Sequence, residues 1–129
     1  MATGFPVVTG DVLTSGMFNG LVAFTLNAQT GTTYTAVSTD QYQTLVTMSN
    51  ASANAFKIPT NASVAFAVGT VITVMNIGAG VCTISAVTPG TTTVLSAGGT
   101  AASPTLSQYK SAALIKTGTD TWYVVGAIA

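Results

Sequence analysis

Three aspartates (Asp11, Asp40, Asp120), three lysines (Lys57, Lys110, Lys116) and one cysteine (Cys82) are the whole stock of charged and thiol side chains in these 129 residues; His, Arg and Glu are absent. A serine or cysteine nucleophile wants a base, normally His, held by a carboxylate, so neither triad can be assembled. Glycoside hydrolysis wants two facing carboxylates, whereas Asp40 and Asp120 read as turn residues and Asp11 falls in a glycine-punctuated segment. No Asp-x-Asx cluster offers calcium its oxygens, and the His/Cys count leaves no zinc or transition-metal site. Gly78-x-Gly80 and Gly98-Gly99 lack the Lys-Ser/Thr and the helix of a phosphate loop. The expectation is a chain with no catalytic, cofactor-binding or metal-binding residues, and not an enzyme.

The bland readings of the same residues follow. Lys110 and Lys116 read as solvated edge charges that discourage strand addition. Cys82 reads as a small core hydrophobe. Trp122 and Tyr123 face opposite sides of a strand, so one of the pair anchors the core and the other faces out. Asn50-Ala51-Ser52 and Asn61-Ala62-Ser63 match the glycosylation pattern, but the first residues lack the basic start and apolar run of a secretory leader, so both are read as unused.

Hydrophobic residues make up 48% of the chain, charged residues 5%, and the formal net charge is zero. An ordinary domain is about 25% charged. Three lysines make no basic face for a phosphate backbone, so nucleic acid is not an expected partner. So neutral an exterior favours association, which leaves other subunits, a larger assembly or a membrane to cover it. Between Ile58 and Tyr109 there is no charged side chain at all. Yet Ala62–Gly80 is broken by Ser63, Gly69, Thr70, Thr73, Asn76 and Gly78, is rich in β-branched residues, and lacks flanking anchors. The aromatic residues are too few and scattered for the girdles of a membrane barrel. No membrane is expected.

The elements that would position these residues are strands. Period-two alternation and turn residues mark Leu21–Asn27, Thr33–Val37, Thr44–Ser49, Ala55–Ile58, Val71–Asn76, Val81–Val87, Thr91–Leu95, Ala112–Lys116 and Thr121–Ala127. Ile77-Gly78-Ala79-Gly80 predicts a hairpin between Val71–Asn76 and Val81–Val87, and Thr117-Gly118-Thr119-Asp120 predicts another, with Gly118 free to take a positive φ. Short connections argue for antiparallel pairing. The expected fold is all-β, an antiparallel sandwich or small barrel of eight to nine short strands over residues 21–129. Residues 1–20 form an extended arm, whose apolar Phe5, Val7, Val8, Val12, Leu13, Met17 and Phe18 are the candidate partner-binding residues. Ser96–Pro104 is a small-residue loop.

From Tyr34 onward the sequence resembles a small β module of bacteriophage virion proteins. The residues that carry the likeness are Asn50-Ala51-Ser52-Ala53, Ile58-Pro59, Phe66-x-x-Gly69-Thr70-x-Ile72-x-Val74, Gly78-Ala79-Gly80 and Gln108-Tyr109-x-Ser111-Ala112. Most distinctive is the closing Lys116-x-Gly118-x-Asp120-x-Trp122. Gly10-Asp11-Val12-Leu13-Thr14 is similar to a lead-in found in phage tail and virion proteins. The family often has Gly-Lys after the early Asp, whereas Asp40 is followed by Gln41-Tyr42-Gln43-Thr44, so that turn is expected to differ. The resemblance implies a virion structural protein without catalytic residues, assembled in the host cytoplasm.

One compact module with a short apolar arm suits a capsid decoration, or cement, protein on the capsid surface. Its expected partners are the major capsid protein and further copies of itself, as a homotrimer. The alternative is a tail-fibre or tail-tip receptor-binding module, with Tyr34, Tyr42 or Tyr109 stacking on glycans. A third reading, a secreted lectin-like domain, is disfavoured by the missing leader.

Overall fold

The computed structural model describes residues 25–42, 44–96 and 103–128. The arm of residues 1–20, with all seven of its candidate partner-binding residues, and residues 97–102 of the small-residue loop lie outside the described residues. Apart from one 3₁₀ turn, Ser38–Gln41, the regular structure there is all strand: β1 Thr25–Gln29, β2 Thr33–Thr35, β3 Thr44–Met48, β4 Asn54–Ile58, β5 Val71–Asn76, β6 Cys82–Ala86, β7 Thr93–Ser96, β8 Thr105–Leu106, β9 Lys110–Gly118 and β10 Thr121–Gly126.

From β1 to β9 the strands alternate between two sheets, and β10 stays in the sheet of β9. One has the order β1-β3-β5-β9-β10-β7, the other β2-β4-β6-β8. Pairing is mixed: β1 with β3, β3 with β5, β2 with β4, β4 with β6 and β10 with β7 are parallel, and β5 with β9, β9 with β10 and β6 with β8 are antiparallel. The expected all-antiparallel arrangement is therefore corrected. A parallel pair does need a long crossover, but here each strand of one sheet serves as the crossover for the other. The chain winds through both sheets in successive coils, so short connections and parallel pairing coexist.

The predicted Val71–Val87 hairpin is corrected for the same reason: β5 and β6 belong to different sheets. Residues 77–81 form an arch between the sheets, stacked on the equivalent arch 49–53 of the preceding coil. Ile77 donates to the Met48 carbonyl at 2.9 Å and Gly80 to the Asn50 carbonyl at 2.9 Å. The contact is so close that a Cβ on Gly78 would lie 2.3 Å from Asn50 N and one on Gly80 1.9 Å from Ser52 O. These glycines are there for backbone-to-backbone approach; among the described residues the positive-φ glycines are Gly69 and Gly126, and Gly118 is not among them. Asn76 fixes the arch from inside. Its Nδ2 donates to the carbonyls of Gly80 and Leu106, both at 2.8 Å, and its Oδ1 accepts from Gly78 N at 3.1 Å.

The hairpin through Thr117–Asp120 forms as predicted, joining β9 and β10 with a register shift at Thr121/Trp122. Both sheets contribute to a single buried cluster: Val46, Met48, Ile72, Val74, Leu114, Trp122 and Val124 from one, Phe56, Ile58, Cys82, Ile84 and Leu106 from the other. Trp122 is the core anchor of its pair, packed edge-to-face on Phe66 with ring centroids 5.6 Å apart, and Tyr123 faces out. Cys82 is fully buried, and burial pushes its thiol up to about 11, well above the usual range.

Candidate functional site

Strand period two sends alternate side chains to opposite faces, so the register of each sheet fixes what its outer face displays. On the six-stranded sheet, Leu26, Leu45, Thr73, Ala113 and Val125 are successive cross-strand partners along one row. Val71, Ile115, Tyr123 and Leu95 make a second. Leu26, Val71, Tyr123 and Val125 are exposed, and Leu45, Leu95, Ala113 and Ile115 are half-buried. No charged residue interrupts either row.

The other sheet displays hydroxyls. Thr33, Ala55, Thr83 and Thr105 form one row, and Thr35, Lys57 and Ser85 another, with Lys57 Nζ donating to Ser85 Oγ at 2.9 Å. The rows on one outer face are thus mainly apolar and those on the other mainly polar. An outer sheet face normally carries the polar half of the alternation, and contiguous exposed apolar surface marks an interaction site.

The first coil carries the second feature. Asp40 is 1% exposed, not the solvated turn residue expected. Its Oδ2 accepts from Tyr34 Oη at 2.6 Å and from Val37 N at 2.9 Å, and its Oδ1 from Asn27 Nδ2 at 3.0 Å. A buried carboxylate survives because each oxygen is paired. Tyr34 is correspondingly half-buried, tilted against Phe56, and burial together with the Asp40 hydrogen bond and charge pushes its hydroxyl up to about 12. An open cleft of about 440 Å³ beside this network is lined by Thr25, Leu26, Asn27, Thr39, Asp40, Tyr42 and Thr44. Of the three tyrosines considered for stacking, Tyr42 and Tyr109 are exposed and Tyr34 is not free to stack. Tyr109 also holds a φ of 67°, in the turn between β8 and β9.

The closing Lys-x-Gly-x-Asp-x-Trp hairpin forms the third. Lys116 is 1% exposed and sits on β9, between β5 and β10, so its reading as a solvated edge charge is corrected. The alternation Ala112, Leu114, Lys116 places it on the core face, opposite Trp122. Its Nζ donates to Asn61 Oδ1 and to the Phe66 carbonyl, both at 2.6 Å. Its main chain holds the same connector, through Gly69 N to Lys116 O at 2.7 Å and Lys116 N to Thr70 O at 2.9 Å. Asp120 likewise ties two connectors to the hairpin, its Oδ1 accepting from Asn61 N at 2.8 Å and Thr92 Oγ1 at 3.1 Å. Burial holds the Lys116 ammonium below the ordinary lysine range, with the nearby Asp120 charge acting in the opposite sense.

Among the described residues no group of three or more His, Cys, Asp or Glu side chains could hold a metal ion, and no helix is long and apolar enough to cross a membrane. The asparagines of both glycosylation patterns are engaged in the fold: Asn50 donates to the Thr30 carbonyl at 2.8 Å and Asn61 accepts from Lys116. No family model, curated protein or solved structure matches the chain.

Proposed function

We propose that this chain is a virion structural protein that works by assembly, a capsid decoration protein that binds and stabilises the shell of the major capsid protein. In this reading the two sheets form a β-sandwich, and the apolar outer face of the six-stranded sheet packs against further copies of the chain as a homotrimer. The arm of residues 1–20 grips the shell. The observation that carries the reading is the contrast between the two outer faces, because a single apolar face on a chain with so few charges calls for a protein cover. An interface of about 2,000 Å², some 65% apolar, gives roughly 30 kcal/mol of gross burial before association costs.

The exposed rings of Tyr42 and Tyr109 favour a second reading, a tail-fibre or tail-tip module that stacks on receptor glycans. Copy number separates the two: hundreds per particle for decoration, about a dozen for a tail. The test of the first is deletion of residues 1–20. The truncated protein is expected to stay folded by circular dichroism and to be lost from shells on sedimentation. Retention at full occupancy overturns the assignment of the arm.

A further inference from the structure

The first coil, β1 and β2, ends both sheets, and among the described residues no strand pairs with its far side. Its core-facing positions are correspondingly open. Asn27 and Tyr34 are half-buried and Thr25 is exposed, whereas Val46, Phe56 and Thr44, their partners one coil on, are buried. Neither strand carries a proline or a charged residue, the usual devices that keep a free edge from pairing.

The main chain fixes which groups are on offer. The Gln29 carbonyl accepts from Ser49 N at 2.9 Å, so Thr25, Asn27 and Gln29 turn their N–H and C=O toward β3. Successive residues of a strand turn these groups to opposite edges, so Leu26 and Ala28 present theirs outward. On the other sheet the Thr32 carbonyl accepts from Ala55 N at 2.9 Å and Ala36 N donates to the Lys57 carbonyl at 3.0 Å. That leaves Thr33 and Thr35 turned outward. The two outward sets are centred on Asn27 and Tyr34. These residues face each other between the sheets, with Asn27 Nδ2 donating to Tyr34 Oη at 2.8 Å.

We propose that this coil end docks on the same end of a second copy, about a twofold axis that runs past Asn27 and Tyr34 normal to both sheets. One rotation makes both pairings antiparallel, Leu26 with Ala28 and Thr33 with Thr35 across the axis, each pair exchanging both main-chain bonds. Each sheet thereby continues into its counterpart in the other copy. A foreign strand satisfies one edge and leaves the other open; a copy of this chain offers both edges at the matching separation. The polar layer inside the coil is also ready for burial. Asn27 Nδ2 donates to Tyr34 Oη and Asp40 Oδ1, Asn27 Oδ1 accepts from Gln29 Nε2 at 2.7 Å, and the Tyr34 hydroxyl goes to Asp40 Oδ2. No donor of Asn27 or Tyr34 side chains is left unpaired on docking, which removes the main penalty for covering polar groups. The contact uses strand edges rather than the apolar face and does not depend on the virion reading.

The test is sedimentation velocity of full-length variants. Tyr123→Asp charges the apolar face, isolates the edge contact, and is expected to sediment as a dimer. Adding Ala28→Pro removes an outward N–H and spares the bonds to β3; a monomer that still melts cooperatively is expected. Thr33→Lys in place of Ala28→Pro repeats the test from the other sheet, with the same dissociation expected. Amide exchange reads the geometry: the Leu26 and Thr35 N–H groups are expected to exchange about tenfold or more slowly in the dimer than in the monomeric variants. A Tyr123→Asp chain that is monomeric at millimolar concentration overturns the proposal, whatever the unaltered chain does. A dimer that survives both edge variants, or equal exchange rates in dimer and monomer, overturns it as well.

Discussion

Replacing Gly80 with Ala tests the stacked arches most sharply. In a hairpin turn at ordinary φ an added methyl costs little. In the arch, the new Cβ would stand 1.9 Å from the Ser52 carbonyl oxygen and 2.3 Å from its carbon, whereas ordinary contact begins at 3.4 Å. Both neighbours are backbone and cannot swing aside, so the two arches must separate by about 1.5 Å, an overpacking cost of about 1–3 kcal/mol. Separation also strains the Gly80 N to Asn50 O bond and the Asn76 Nδ2 to Gly80 O bond, worth about 1 kcal/mol each. The expected loss is about 3–5 kcal/mol, read as a lower urea midpoint, with a fall in Tm of about 12–20 °C. Gly90→Ala is the control, because nothing lies within 4 Å of its added Cβ; it should be neutral or stabilising by about 0.4–1 kcal/mol. A Gly80→Ala protein within about 0.5 kcal/mol of the parent refutes coil-on-coil packing at this end of the fold.

Trp122→Ala should cost about 3–5 kcal/mol in urea unfolding, because the ring is 2% exposed and packs on Phe66, while Tyr123→Ala on the outer face should cost little. Tyr34 contributes an alkaline limit. Its hydroxyl ionises near 12 in the fold and about 10 in the unfolded chain, so its contribution is complete below pH ~10 and is lost as pH rises from ~10 through ~12. Tyr34→Phe should flatten that part of a stability-against-pH curve, and an unchanged slope contradicts the Tyr34–Asp40 assignment.

Strand positions and inward residues were legible because they rest on local alternation. The nine marked segments each contain or overlap a strand, and Cys82, Ile84, Trp122 and Val124 point inward as their spacing requires. Among the described residues only β8, two residues long, carries too little pattern to be read. Pairing was not legible: a four-residue Gly-rich link suits both a hairpin and an arch, and the choice depends on whether its strands share a sheet. Gly78 and Gly80 show how the two differ, since neither has the positive φ of a tight hairpin turn and both meet another coil's backbone.

Lys116 was legible and misread. Its place two residues after Leu114 already puts it on the core face, and a charged residue there needs buried acceptors. Asn61, from a connector far away in sequence, supplies one of them with no local signal of its own. The outer row of Leu26, Leu45, Thr73, Ala113 and Val125 likewise exists only once register joins five separate strands.

Assembly through that apolar face is tested most directly by sedimentation velocity of the full chain from micromolar to millimolar concentration. The expected result is a discrete oligomer that dissociates on Tyr123→Asp while the fold persists. A single monomeric species across the whole range contradicts it.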